Sequence, residues 1–242
     1  MILKNLTVCV TGTDRGIGLA MVRELLAAGN TVFSGGVGPR TEGHAVLEER
    51  YRGRFHHFGL DVGSDRSVGE AAAFIRERTA SLDLLVNNAA ILGETARTIL
   101  EPLDFDEVLR VMNVTAIGAI RMTNALIDPV MRGGKIVVQI SSEAGSISGC
   151  YREAWFGYCM AKAALNMGSA IVHNAIRSEG GRGLILHPGW VKTWMSGIWN
   201  PAGTYTPEES ARFILRRIEE RGDEIRDRPL FIAADTGNEL PW

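Results

Sequence analysis

Thr11-Gly12-Thr13-Asp14-Arg15-Gly16-Ile17-Gly18 is the stretch on which the reading of this chain turns. The apolar run Leu6 to Val10 before it reads as a strand, and Ile17 to Ala28 after it as a helix. The glycines therefore stand where a strand hands over to a helix. At such a turn the first N–H groups of the helix and the positive end of its dipole face the same way. Residues without a Cβ then let an anion such as a pyrophosphate come close. Three glycines are also plain turn chemistry, and the same architecture serves S-adenosylmethionine enzymes and other nucleotide binders, so the rest of the chain has to decide.

Outward from this turn, apolar runs alternate with helical segments. Strands are predicted at Leu6 to Val10, Thr31 to Ser34, Phe55 to Leu60, Leu82 to Val86, Lys135 to Ile140, Gly183 to His187 and Leu230 to Ala233. Helices are predicted near Ile17 to Ala28, Arg40 to Arg50, Ser67 to Thr79, Phe105 to Leu126, Gly157 to Ser178 and Pro207 to Glu220. Leu84-Leu85-Val86 and Ile136-Val137-Val138 are apolar on successive residues, so both faces of the sheet must be covered. The expectation is an α/β fold: a Rossmann-type, doubly wound, seven-stranded parallel sheet with helices on both faces. With 242 residues, 45% of them hydrophobic, and no repeat, low-complexity tract or long linker, residues 1–242 form one expected domain. The irregular stretch 190–206 carries Trp190, Trp194, Met195, Ile198, Trp199 and Tyr205. It is either a substrate lid or a loop whose aromatics plug the core.

Composition excludes several partners. The formal charge of −2, with no continuous basic tract, argues against nucleic acid. No apolar run approaches the roughly 20 residues that span a bilayer. Met1 to Val10 lacks the layout of a signal peptide, which points to a cytoplasmic protein. Cys9, Cys150 and Cys159 form no CxxC pair and have no His cluster at metal spacing, so neither a metal nor a catalytic thiol is expected.

The T-G-x-x-x-G-I-G turn resembles the glycine motif of the short-chain dehydrogenases/reductases, and further motifs of that family follow in its order. Asp61-Val62 resembles the pair that contacts the adenine ring. Asn87-Asn88-Ala89-Ala90 resembles N-N-A-G, with Ala90 in place of the usual glycine. Ser141-Ser142 after the fifth strand resembles the serine motif, Tyr158-Cys159-Met160-Ala161-Lys162 the Y-x-x-x-K motif, and Pro188-Gly189-Trp190-Val191-Lys192-Thr193 the P-G-x-V-x-T motif. Asn113 matches the family's helix asparagine. The resemblance runs through the ending Ala234 to Trp242, which is reminiscent of the small carbonyl-reductase branch containing sniffer and the C-factor proteins.

The resemblance implies an oxidoreductase that moves hydride between NADP(H) and a carbonyl or alcohol. Its catalytic set would be Asn113, Ser142, Tyr158 and Lys162. The cofactor would be held by Gly12, Arg15, Gly16, Ile17, Gly18, Asp61, Val62, Asn88, Ala89, Ala90, Tyr158, Lys162, Pro188, Gly189, Val191 and Thr193. Four residues apart on a helix, Tyr158 and Lys162 share a face, and a phenol of ordinary pKa about 10 needs a neighbouring positive charge to act near neutrality. NADP(H) is preferred over NAD(H) because the second strand ends Phe33-Ser34-Gly35-Gly36-Val37, with no acid for a ribose 2′-hydroxyl, while Arg15 matches a basic position of NADP-preferring members. Arg40 is a surface residue that lies close enough in sequence to assist. Sixteen positions separate Ser142 from Tyr158, so the loop between should bulge, and Ser141 or Ser146 is conceivable in place of Ser142. His187 reads as structural, and Glu143 and Glu153 as solvated carboxylates. The family further implies a homodimer or homotetramer built on its two long helices. Two alternatives stand beside this reading: a catalytically silent NADP-binding regulator, and an extended epimerase or dehydratase, for whose substrate domain too little chain follows Thr193.

Overall fold

The computed structural model describes all 242 residues. Its strands are β1 Thr7–Thr11, β2 Thr31–Gly36, β3 Phe55–Gly59, β4 Leu84–Asn87, β5 Ile136–Ile140, β6 Arg182–His187 and β7 Leu230–Ala233. They form one parallel sheet in the order β3-β2-β1-β4-β5-β6-β7. The helices are α1 Gly16–Ala27, α2 Glu42–Arg50, α3 Asp65–Arg76, α4 Phe105–Met112, α5 Gly118–Arg132, α6 Phe156–Ile176 and α7 Pro207–Arg221. This is the doubly wound Rossmann-type arrangement. Its strand order reverses direction between β1 and β4, which opens a crevice at the carboxyl ends of those strands.

Why the strands read as unbroken apolar runs is visible in their packing. Successive residues of a strand face opposite sides. Val8, Val10, Val86, Val138 and Leu186 meet Leu25 and Leu26 of α1 and Ile214 and Ile218 of α7. Cys9, Phe33, Leu85 and Val137 meet Ile75 of α3 and Met122 and Leu126 of α5. A smaller cluster of Val111, Ala116, Ala119, Ala161 and Leu165 joins α4 and α5 to α6. Each large apolar side chain so buried contributes about 1.5–3 kcal/mol.

Capping explains most differences from the predicted helix limits. Thr41, Ser64, Asp104 and Thr206 each accept a backbone N–H of the turn they open, starting α2, α3, α4 and α7. The helix predicted at Phe105 to Leu126 runs on to Arg132 and is interrupted by a π-helical turn, Asn113–Ile117, where the Gly118 N–H reaches back to the Asn113 carbonyl. In the stretch 190–206, Trp190 is 58% exposed and Trp194 and Trp199 are 41% exposed, so these indoles do not plug the core. Trp194 and Trp199 pack on each other with ring centres 4.2 Å apart and planes tilted by 48°.

Candidate active site

The crevice is floored by the glycine turn after β1. Gly12 takes φ +69°, and a Cβ there would come within 2.7 Å of the Ala89 Cα, so this approach to the turn after β4 is open only to glycine. The Asn88 amide fastens the two turns together by donating to the Thr11 and Gly12 carbonyls at 2.9 and 3.0 Å. Thr11 Oγ1 in turn accepts the backbone N–H groups of Asn88 and Ala89. Asn88 therefore spends its side chain on holding the loop. Ala90 is not among the residues with positive φ, so its backbone does not require the usual glycine.

Helix α1 opens without a side-chain cap and with no acid in its first turn. The backbone at Gly16, Ile17 and Gly18 fits an anion: its amides are left free of a capping side chain. Across the crevice, the space above Gly16 is closed by the Thr193 methyl, 3.8 Å from where a Cβ would stand. Thr193 belongs to the turn after β6, which begins with Pro188 and Gly189 and pairs Val191 with Tyr205. Arg15 is exposed at the mouth, its guanidinium 3.4 Å from the Trp194 carbonyl. Asp61 is also exposed and accepts the Gly63 N–H, whereas Val62 is buried beneath it.

The chemistry-bearing side chains stand at the carboxyl end of β5. Ser142 opens a short 3-10 turn, Glu143–Gly145, and accepts the Ala144 N–H at 3.1 Å. A Cβ on Gly145 would lie 2.7 Å from the Lys162 carbonyl carbon, so glycine lets the turn settle directly on α6. Tyr158 is 8% exposed and Lys162 is 2% exposed. The Lys162 amine donates to the Ile140 carbonyl at 2.7 Å and lies 5.5 Å from the centre of the Tyr158 ring. Ser141 lies deeper and donates to Asn166 at 2.6 Å, which fixes the loop and leaves Ser142 as the hydroxyl beside the phenol. Ser146 is occupied with the Gly149 N–H.

Burial dominates the electrostatics. It pushes the Tyr158 phenol above its ordinary range, the Ser142 hydrogen bond pulling the other way, and it lowers the Lys162 amine to about 7. The proton thus stays on the phenol, while the Lys162 amine is only partly charged near neutrality.

Five residues in or beside this site, Glu143, His187, Arg152, Trp155 and Arg121, carry no role in the sequence motifs. Glu143 accepts the Ser142 hydroxyl and pairs with Arg152. Burial pushes its carboxyl up, but the Ser142 hydroxyl and the Arg152 guanidinium outweigh that and hold it ionised. His187 Nδ1 accepts the Glu143 N–H at 3.3 Å, and burial lowers its pKa, so the ring is neutral and structural. Arg152 also lies over Trp155, which enters α6 in the left-handed region at φ +69° and packs edge-on against Tyr158. Asn113 donates to the Gly63 carbonyl at 2.9 Å, and Arg121 reaches Asn113 Oδ1 at 3.1 Å and the Val62 carbonyl at 2.6 Å. That clamp ties the π-helical turn to the Asp61 segment. Only proximity in the sequence linked Glu143 to Ser142 beforehand; Arg121 and Arg152 gave no signal.

The comparisons with known proteins give the family and agree with the fold. The family model for short chain dehydrogenase matches residues 6–202, and the chain belongs to that family of oxidoreductases. C-signal of Myxococcus xanthus is 33% identical over 166 residues, 68% of this chain and 95% of that protein. Among solved structures, the NADPH-bound carbonyl reductase from chicken fatty liver superposes with TM-score 0.85 at 28% identity, covering 100% of this chain and 96% of the other. A short-chain dehydrogenase/reductase of Burkholderia multivorans with bound NADP gives TM-score 0.86 at 25% identity, covering 98% and 100%. The likeness runs to the carbonyl-reductase branch. No helix is long and apolar enough to cross a membrane.

Proposed function

We propose that this chain is an NADP(H)-dependent carbonyl reductase or alcohol dehydrogenase, one domain throughout, with Tyr158 as general acid and base. The observation that carries the reading is the meeting of two hydroxyls, Ser142 and Tyr158, with a buried amine, Lys162, in the crevice that also holds an uncapped glycine turn. NADP(H) is the cofactor the resemblance implies, and two of the solved likenesses above are complexes with NADP or NADPH.

Gly12, Gly16, Ile17 and Gly18 would hold the pyrophosphate on backbone N–H groups, with Asp61 and Val62 beside the adenine. Ala89, Ala90, Pro188, Gly189, Val191 and Thr193 would line the nicotinamide half, and Arg15 would meet the 2′-phosphate. When bound, the cofactor supplies or takes the hydride. In reduction, Ser142 turns its hydroxyl from Glu143 to the substrate carbonyl oxygen, and Tyr158 donates to the same oxygen and then gives up its proton. Lys162 stands where it can hold the nicotinamide ribose and stabilise the phenolate that forms. Asn113, its side chain committed to Gly63 and Arg121, acts through the π-helical turn it anchors. The exposed indoles of Trp190, Trp194 and Trp199 favour an apolar or ring-containing carbonyl compound. Met160, Met167 and Ile171 are exposed on the outer face of α6 and suit pairing with a second copy.

Replacing Tyr158 by Phe tests the reading. Turnover of a ketone, quinone and aldehyde panel should fall about 10²–10⁴-fold, while calorimetric binding of NADPH should hold. Equal activity in the variant would sink the assignment of Tyr158. Tight NADPH binding with no turnover of any panel compound by the wild type would leave a binding protein in its place.

A further inference from the structure

The end of β2 carries no acid in sequence, yet the structure puts one there. Asp14, from the glycine turn after β1, reaches across to the turn that follows β2. Its Oδ1 accepts the Gly38 N–H at 2.5 Å and its Oδ2 the Val37 N–H at 3.1 Å. A Cβ on Gly36 would stand 2.6 Å from the same carboxylate, so the approach is direct, with no side chain between. In a sheet of this topology the adenosine ribose lies at the end of the second strand, where an acid receives the 2′-hydroxyl and a cation the 2′-phosphate.

The cations are less free than the sequence suggests. Arg40 is paired with Glu48, and Arg15 leans toward the Trp194 carbonyl. Ser34 and Thr13, beneath the turn, are hydrogen-bonded to each other at 2.7 Å and offer no charge. A 2′-phosphate entering here meets a carboxylate that already holds the two turn amides it would use, and like charges at that range repel.

Resting on the nicotinamide-dinucleotide reading above, we infer that Asp14 is the specificity-determining residue of the ribose site: it stands in for the acid missing from β2, narrows the preference for NADP(H) that Arg15 creates, and makes NAD(H) an accepted cofactor.

The test titrates the purified chain by calorimetry with adenosine 2′,5′-bisphosphate and with 5′-AMP, which isolate the phosphorylated and unphosphorylated ribose without any turnover. In Asp14→Asn the ratio of the two affinities should move toward the bisphosphate by about fivefold or more, the size of one unit-charge repulsion at hydrogen-bonding range in water. Asp14→Ser, which keeps an acceptor for the turn, should move it the same way, and thermal melting of both variants confirms that they fold. An unchanged ratio in both folded variants, or a shift toward 5′-AMP, overturns the inference and leaves the dinucleotide reading standing. Failure of the wild type to bind either probe removes that reading, and the inference with it.

Discussion

Lys162 is an amine sealed inside the protein with a single carbonyl for company, and burial brings its pKa from 10.5 down to about 7. The sign of the consequence follows from linkage. Above pH 10.5 the amine is neutral folded or unfolded, and burial costs no charge. As pH falls toward 7 the unfolded chain takes up a proton that the folded one refuses, so the protein loses stability, and the loss is complete below about 7. Lys162→Met should therefore be more stable than the wild type near neutrality, by up to several kcal/mol at roughly 1.4 kcal/mol per pKa unit, with the gap closing toward pH 10.5. Denaturant unfolding across that range reads it; a gap that does not change with pH would mean the folded protein carries a charged amine. Gln139 on β5 poses the opposite problem. Its side chain is buried and neither amide atom has a partner, as is also true of Asn87 Oδ1 on the adjoining strand. Gln139→Met, similar in shape and apolar, should raise the unfolding free energy by about 1–2 kcal/mol, visible as a higher denaturant midpoint.

The short turn Glu143–Gly145 and helix α6 work as a pair because Gly145 lets one lie on the backbone of the other. Adding a methyl in Gly145→Ala should lift the turn from α6 at a cost of about 1–3 kcal/mol. It should also lower kcat more than it weakens cofactor binding, since Ser142 moves and the glycine turn after β1 does not. Thermal melting and steady-state kinetics check the two halves of that statement. At this scale the sequence was most readable. All seven strands stand within a residue or two of their predicted places, because runs such as Leu84-Leu85-Val86 have no other comfortable environment than a sheet covered on both faces. The π-helical turn at Asn113 was not readable, since one extra residue in a helical ladder leaves the apolar pattern almost unchanged. Nor was the reach of Asp14, Arg121 or Arg152. Each acts on a segment distant in sequence or on the far side of a turn, and local patterning says nothing about which turns become neighbours.

For the whole molecule, the parallel character followed from the strands, but their spatial order did not: periodicity is blind to which strand lies beside which. The order matters because the reversal between β1 and β4 sets the crevice above the glycine turn. The outer face of α6 makes a prediction at this scale. If Met160, Met167 and Ile171 meet a second copy, Met167→Glu should convert the assembly to smaller species in light scattering while leaving the melting of the monomer close to unchanged; a wild type that is monomeric at all concentrations would rule the interface out. The exposed indoles have one more consequence. Of the five tryptophans, Trp155 packs on Tyr158 and Trp190, Trp194 and Trp199 lie in the segment that follows β6, while Trp242 packs on Phe231 of β7. The protein therefore carries its own optical gauge: with one indole packed on Tyr158 and three in the segment that follows β6, titration with NADPH should quench its fluorescence if the reduced nicotinamide fills the crevice, and unchanged emission would count against that placement.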